Sequence, residues 1–182
     1  MTGNGVVSVF GSSQAQADSL AYEEALGTGR LLAQAGFTVC SGGYGGVMEA
    51  VSRGAKEEGG KVIAVTTEWF AKLKVNAWAD EEIRTATFLE RLRTIIDVGD
   101  AYLALKGGIG TLTEISSVWS LLQTRSIPQR PLVLLSDPWH DLIAFCQDRL
   151  IIRAHDFDYL RIARTPSHAV ELVAQSIPSE NT

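Results

Sequence analysis

Two short stretches of this chain carry the residue types that phosphate chemistry needs. Gly42-Gly-Tyr-Gly-Gly-Val-Met-Glu49 and Gly107-Gly-Ile-Gly-Thr-Leu-Thr-Glu114 share the frame G-G-x-G-x-x-x-E. Glycines let a backbone come very close to a partner. When such a loop opens a helix, free N–H groups and the positive end of the helix dipole face the same point. A phosphate is the natural guest, and a tight strand-to-helix turn with no ligand is the alternative. Seven of the 17 glycines lie in these loops, at Gly42, Gly43, Gly45, Gly46, Gly107, Gly108 and Gly110. Two such loops in one small sheet favour the ligand.

Glu114 has two readings. Thr111-x-x-Glu114 has the spacing of a capping box, in which the carboxylate bonds back to the Thr111 backbone. Alternatively, it is a carboxylate one turn inside a phosphate-binding helix start, facing the ligand. Glu49 is its counterpart in the first loop, in a helix with Glu57 and Glu58. Other familiar sites fail on spacing. There is no G-x-x-x-x-G-K-[ST], no complete G-x-G-x-x-G, no H-E-x-x-H and no G-x-S-x-G. His140-Asp141 and His155-Asp156-x-Asp158 lack metal-ligand spacing, so no metal is expected.

The elements that must position these loops alternate strand and helix. Strands are expected at 6–10, 37–40, 62–65, 101–105, 132–135 and 160–163. Helices are expected at 18–35, 47–58, 88–98, 111–122, from Asp137-Pro138 to about 150, and from Thr165-Pro166 through 174. Gly27 and Gly29 should weaken the first helix. Residues 66–82, with Trp69, Phe70 and Trp78, show no clear period and read as a partly ordered excursion over the site. Apolar strands alternating with helices predict an α/β, Rossmann-like three-layer sandwich: a mainly parallel sheet with helices on both faces. Ligands of such sheets bind at the C-terminal strand ends, where both glycine loops fall.

Composition narrows the function further. The chain has 182 residues, 46% hydrophobic and 20% charged, which fits a single folded domain and excludes disordered, coiled-coil and collagen-like classes. Its net charge is -5 and it has no Lys/Arg stripe, so a nucleic-acid groove is not expected. Cys40 and Cys146 lie in apolar runs and read as buried, reduced thiols. Met1-Thr-Gly-Asn-Gly5 lacks a basic region and leads into a five-residue apolar run. A soluble cytoplasmic protein without a membrane partner is therefore expected.

Taken in order, Gly11-Ser-Ser13, Gly42-Gly-x-Gly-Gly-Val-Met48, Glu90-Arg91 and Gly107-Gly-x-Gly-Thr-x-x-Glu114 resemble the motifs of the LOG ("lonely guy") family over about residues 5 to 150. The resemblance implies a Rossmann-like homodimer that binds a small phosphorylated ligand such as AMP and needs no cofactor. It implies hydrolysis of the N-glycosidic bond of a nucleoside 5′-monophosphate, of the AMP or cytokinin ribotide type, to free base and ribose 5-phosphate. Arg91 and Glu114 then match the family's catalytic pair. Ser13, Gly42, Gly43, Gly45, Gly46, Met48, Lys106, Gly107, Gly108, Gly110 and Thr111 match its substrate- and phosphate-binding positions. A carboxylate suits this reaction because the departing base leaves an oxocarbenium-like sugar, and an Arg suits phosphate or the base side. Members are often labelled lysine decarboxylases. The chain is too short for a pyridoxal-phosphate decarboxylase and shows no such site. It departs from the family at Lys106 (usually Pro), Glu49 (usually Gly) and Leu92 (commonly Lys). The alternative is a non-catalytic binding or carrier protein for a phosphorylated small molecule, a nucleotide or the molybdenum cofactor.

Overall fold

Val62 to Thr67 is buried at every position, and so are Ala101–Ala104 and Leu132–Leu135. Strands that are apolar on both faces need cover on both faces. The computed structural model, which describes residues 4–70 and 72–176, supplies it. Strands β1 (Val6–Phe10), β2 (Thr38–Ser41), β3 (Val62–Thr67), β4 (Glu81–Thr85), β5 (Ala101–Ala104), β6 (Leu132–Leu135) and β7 (Leu160–Ala163) form one sheet in the order β4-β3-β2-β1-β5-β6-β7. Every pairing is parallel.

Helices α1 (Leu20–Gln34), α2 (Val47–Glu57) and α6 (Pro166–Ser176) pack one face through residues such as Ala25, Leu32, Val51 and Val173. Helices α3 (Phe88–Val98), α4 (Ile109–Gln123) and α5 (Asp137–Arg149) cover the other through Ile95, Ile115, Leu122 and Ile143. This is the expected three-layer α/β fold, with a fully parallel sheet. Strand order reverses between β1 and β5, so the connections after those strands diverge to opposite faces. The crevice opened there is the usual ligand position in such sheets. Cys40 and Cys146 are buried free thiols, as expected.

Most elements match the expected bounds to within about two residues, and the differences that matter each have a local reason. Residues 81–85 are an edge strand rather than part of an excursion. Glu81-Glu-Ile-Arg-Thr85 is mostly exposed and pairs only with β3, so charges replace the apolar pattern on a sheet edge. Helix α4 begins at Ile109, not Thr111, with Gly108 as its N-cap. Helix α5 has Ser136 at its N-cap position, where the side chain makes no capping bond, with Asp137 and Pro138 already inside. At α6 the Thr165 cap holds: its hydroxyl accepts from the His168 N–H at 3.2 Å.

Helices α1 and α2 cross with almost no space between backbones. A Cβ on Gly29 would run into the Val51 carbonyl of α2, and one on Gly54 would run into the Leu26 carbonyl of α1. Gly29 is therefore a contact point, whereas a Cβ on Gly27 meets nothing within 4 Å. Gly54→Ala should lose about 1–3 kcal/mol of stability through overpacking, and Gly27→Ala should gain about 0.4–1 kcal/mol. Urea unfolding of both variants checks the opposite signs.

Candidate active site

Three strand-to-helix connections meet at the crevice. After β1, the Ser12 N–H donates to the Lys106 carbonyl at 3.1 Å, and the Ser12 carbonyl accepts from the Val47 N–H at 2.8 Å. One residue thus ties the β1 loop to both glycine loops. Gly46 has a φ of 68°, and a Cβ there would collide with the backbone of Ser12 and Ser13, so this turn is closed to other residues. Ser13 itself is exposed beside it.

Arg91 joins the loops from the other side. Helix α3 opens with a capping box at Thr87 and Glu90: the Thr87 hydroxyl accepts from the Glu90 N–H at 3.2 Å, and the Glu90 carboxylate accepts from the Thr87 N–H at 3.1 Å. That box fixes the first turn and points Arg91 inward, where the residue is 7% exposed. Its Nε donates to the Val65 carbonyl of β3 at 2.8 Å. Its guanidinium lies 5.7 Å from the centre of the Tyr44 ring. Gly42 leaves room for it: a Cβ there would strike the guanidinium and press on Met48 Sδ.

Glu114 faces Arg91 from α4. The two are 3.9 Å apart, Nη1 to Oε1, with side chains only 8% and 12% exposed. Among the described residues no hydrogen bond reaches this carboxylate. The Thr111–Glu114 capping box does not form. Because Gly108 starts the helix, Thr111 is already its third residue and no side chain caps it. Glu114 lies one turn further in and is free for chemistry. Burial pushes its carboxyl up to about 7, against the downward pull of Arg91.

The two glycine loops are not equivalent. At α2, the Val47 N–H is taken by Ser12 and Glu49 occupies the first turn, so internal groups already answer the dipole. At α4 the first turn holds no acid, and among the described residues no acceptor meets the N–H groups of Ile109, Gly110 and Thr111. A Cβ on Gly107 would collide with Thr111, but Cβ atoms on Gly108 and Gly110 would meet nothing within 4 Å. Their smallness serves no packing inside the chain, which leaves open space where an anion would approach. Lys106 is exposed, and its charge acts on Glu24 of α1.

The structure therefore brings Arg91, Glu114, Gly42 and Met48 together, and lays Gly107 to Thr111 along the helix start that carries Glu114. Gly43 and Gly45 belong to the same first loop. Sequence reading missed Ser12, Tyr44 and Asn76. Asn76 donates from its backbone to the Gly43 carbonyl at 2.8 Å and from its side chain to the Tyr44 carbonyl at 3.1 Å. An aromatic residue inside a glycine loop was a signal for Tyr44, and Asn76 carried none. Trp119 packs beside Phe157 on the α4 side, and Leu122 is core. Among the described residues no three metal-binding side chains cluster, and no helix is long and apolar enough to cross a membrane.

Residues 4–148 match the profile of the SLOG cluster4 family. A Mycobacterium tuberculosis protein named cytokinin riboside 5′-monophosphate phosphoribohydrolase is 33% identical over 144 residues, 76% of this chain and 74% of that protein. An uncharacterised Archaeoglobus fulgidus protein is 38% identical over 112 residues, 60% of this chain and 70% of its own length. Among solved structures, the molybdenum cofactor binding protein of Rippkaea orientalis superposes with a TM-score of 0.77 at 25% identity, covering 96% of this chain and 98% of that one.

The raised Glu114 carboxyl has a stability consequence. Between its ordinary 4.5 and about 7 the folded state holds a proton that the unfolded state has released. Stability therefore falls as pH rises through this window, by on the order of 3 kcal/mol at most. Glu114→Gln should remove that loss. The stability gap between variant and wild type should widen in favour of the variant from pH 5 to pH 8, measured by urea unfolding at each pH.

Proposed function

The chain belongs to the SLOG cluster4 family, the LOG-type group that its motifs resemble, and we propose that it hydrolyses the N-glycosidic bond of a nucleoside 5′-monophosphate. The products are a free base and ribose 5-phosphate. The observation that carries this reading is the hydrogen-bond-free Glu114, its side chain 12% exposed, one turn inside an uncapped helix start, with Arg91 3.9 Å away.

The phosphate sits on the free N–H groups of Ile109, Gly110 and Thr111, where the α4 dipole favours negative charge. The sugar then extends inward and brings C1′ towards Glu114. The carboxylate accepts a proton from a water whose oxygen forms the new bond to C1′. The C1′–N bond breaks, the base departs with its electron pair, and it takes up the proton that Glu114 removed from the water, which restores the carboxylate. Negative charge on Glu114 also stabilises the positive sugar of the transition state. Arg91 binds the base side or a phosphate oxygen. A carboxyl near 7 is a suitable general base at neutral pH, because it is ionised in a large fraction of molecules yet basic enough to take a proton. The relatives named as phosphoribohydrolases support the same reaction class.

A second reading, a carrier of a phosphorylated small molecule, is supported by the full-length likeness to the molybdenum cofactor binding protein. Chromatography of free base released from AMP and other nucleoside monophosphates separates the two. On the hydrolase reading kcat/KM rises with pH with a midpoint near 7, the range of Glu114. Glu114→Gln lowers kcat about 10²–10⁴-fold, and Arg91→Ala lowers kcat/KM. Tight binding of a monophosphate with no base released would leave only the carrier.

We also place a second copy against the outer faces of α3 and α4. They enclose a groove of about 720 Å³ lined by residues including Leu89, Leu92, Ser116, Ser120 and Ile127, and Leu89 is 72% exposed. A two-fold pair would bring the same patch of each copy together. Sedimentation should give a dimer for the wild type and a monomer for Leu89→Glu.

A further inference from the structure

The Arg91–Glu114 pair is open although the two groups carry opposite charges. A charge-assisted hydrogen bond between guanidinium and carboxylate closes to about 2.7–2.9 Å, yet Nη1 and Oε1 stand 3.9 Å apart. The two side chains are only 8% and 12% exposed, and Glu114 has no other partner among the described residues. Mutual attraction in such a setting should pull them together, so something holds the guanidinium back, in part its Nε bond to the Val65 carbonyl at 2.8 Å.

Tyr44 is placed to do so. The ring that faces the guanidinium is fixed at both ends. Its hydroxyl accepts from the Thr67 N–H at 3.1 Å and donates to the Thr67 carbonyl at 3.4 Å. Its own carbonyl accepts from the Asn76 side chain at 3.1 Å. Phe70 meets the ring edge-on at 6.0 Å, and Phe88, at the start of α3, meets Phe70 at 6.5 Å. Attraction between a cation and a ring face therefore draws Arg91 towards an immobile surface.

We infer that Tyr44 is a positioning residue: its ring, clamped at the hydroxyl by Thr67 while Asn76 fixes its backbone, keeps Arg91 from closing onto Glu114 and leaves the carboxylate free for water or substrate. The role of that freedom rests on the hydrolase reading; the holding of Arg91 does not. Arg91 of α3 is the charged group that acts on Glu114. The nearby Cys40 thiol of β2 stays neutral, because burial pushes it up to about 12. Lys106 acts on Glu24 instead.

The test is a carbon-detected NMR titration of the Glu114 carboxyl, assigned with Glu114→Gln, in wild type, Tyr44→Leu and Asn76→Ala, alongside the pH dependence of kcat/KM. Without the ring, Arg91 closes the gap, and an opposite charge in full contact favours the ionised form. The Glu114 midpoint in Tyr44→Leu should fall by about one pH unit or more, the acid limb should move with it, and kcat should drop more than KM changes. Asn76→Ala should show a smaller fall. A midpoint that stays put or rises in folded Tyr44→Leu overturns the inference. If Tyr44→Leu does not fold, Tyr44→Phe decides: it keeps the ring but loses both Thr67 bonds, and an unchanged midpoint overturns the clamp. A midpoint that falls while even the wild type releases no base sustains the clamp and sinks the hydrolase reading instead.

Discussion

A guanidinium buried to 7% exposure must be matched on every side, and the site is arranged around that demand. Removing such a charge from water costs several kcal/mol unless neighbouring groups replace the hydration. Arg91 finds a carbonyl on β3, a ring in the first glycine loop and a carboxylate on the helix opened by the second. These partners come from separate segments, so the guanidinium can be satisfied only when the sheet, α3 and both loops are in register. The capping box at Thr87 and Glu90 sets the depth at which Arg91 enters. Gly42 is then required, because any side chain there would occupy the guanidinium's place.

The same constraint makes two similar loops unequal. The first is spent on the protein: its glycines accommodate Arg91, Met48 and the Ser12–Ser13 backbone, and its helix start is answered by the Ser12 carbonyl and Glu49. The second keeps its N–H groups free and has open space above Gly108 and Gly110. An anion therefore finds unsatisfied donors at α4 and an acid at α2. Its electrostatic preference is decided before any contact with a base or sugar.

Much of this was legible in the sequence because it rests on local signals. Apolar runs marked six of seven strands, and the shared glycine frame marked both loops. Glu81-Glu-Ile-Arg-Thr85 escaped because an edge strand owes its form to a neighbour, β3, and carries charges where a core strand carries valines. Two Thr-x-x-Glu boxes lie in the chain, and spacing alone cannot tell them apart. Thr87 precedes α3 and caps it, whereas Gly108 starts α4 so early that Thr111 falls inside. Which box caps depends on where the helix starts, and that is set by packing after β5. The partners of Tyr44, and Asn76 altogether, escaped for a related reason: these contacts span 23 and 32 residues of sequence.

A phosphate cradle alone does not distinguish an enzyme from a carrier, since both need free N–H groups at a helix start. Glu114 does distinguish them on physical grounds. A carboxylate there is largely desolvated, receives no hydrogen bond among the described residues, and stands about 1 Å beyond the charge-assisted hydrogen-bond distance from its one cation. Above pH 7 its charge destabilises the fold, and Gln would fill the same volume without that penalty. A carrier gains nothing from a buried anion behind the phosphate, and the anion would repel the ligand it holds. A glycosidic cleavage gains both a base for water and a counter-charge for the sugar cation. On the proposed reaction the destabilising residue would sit where a base is needed, as strained or poorly satisfied groups do at functional sites, and this favours the hydrolase over the carrier.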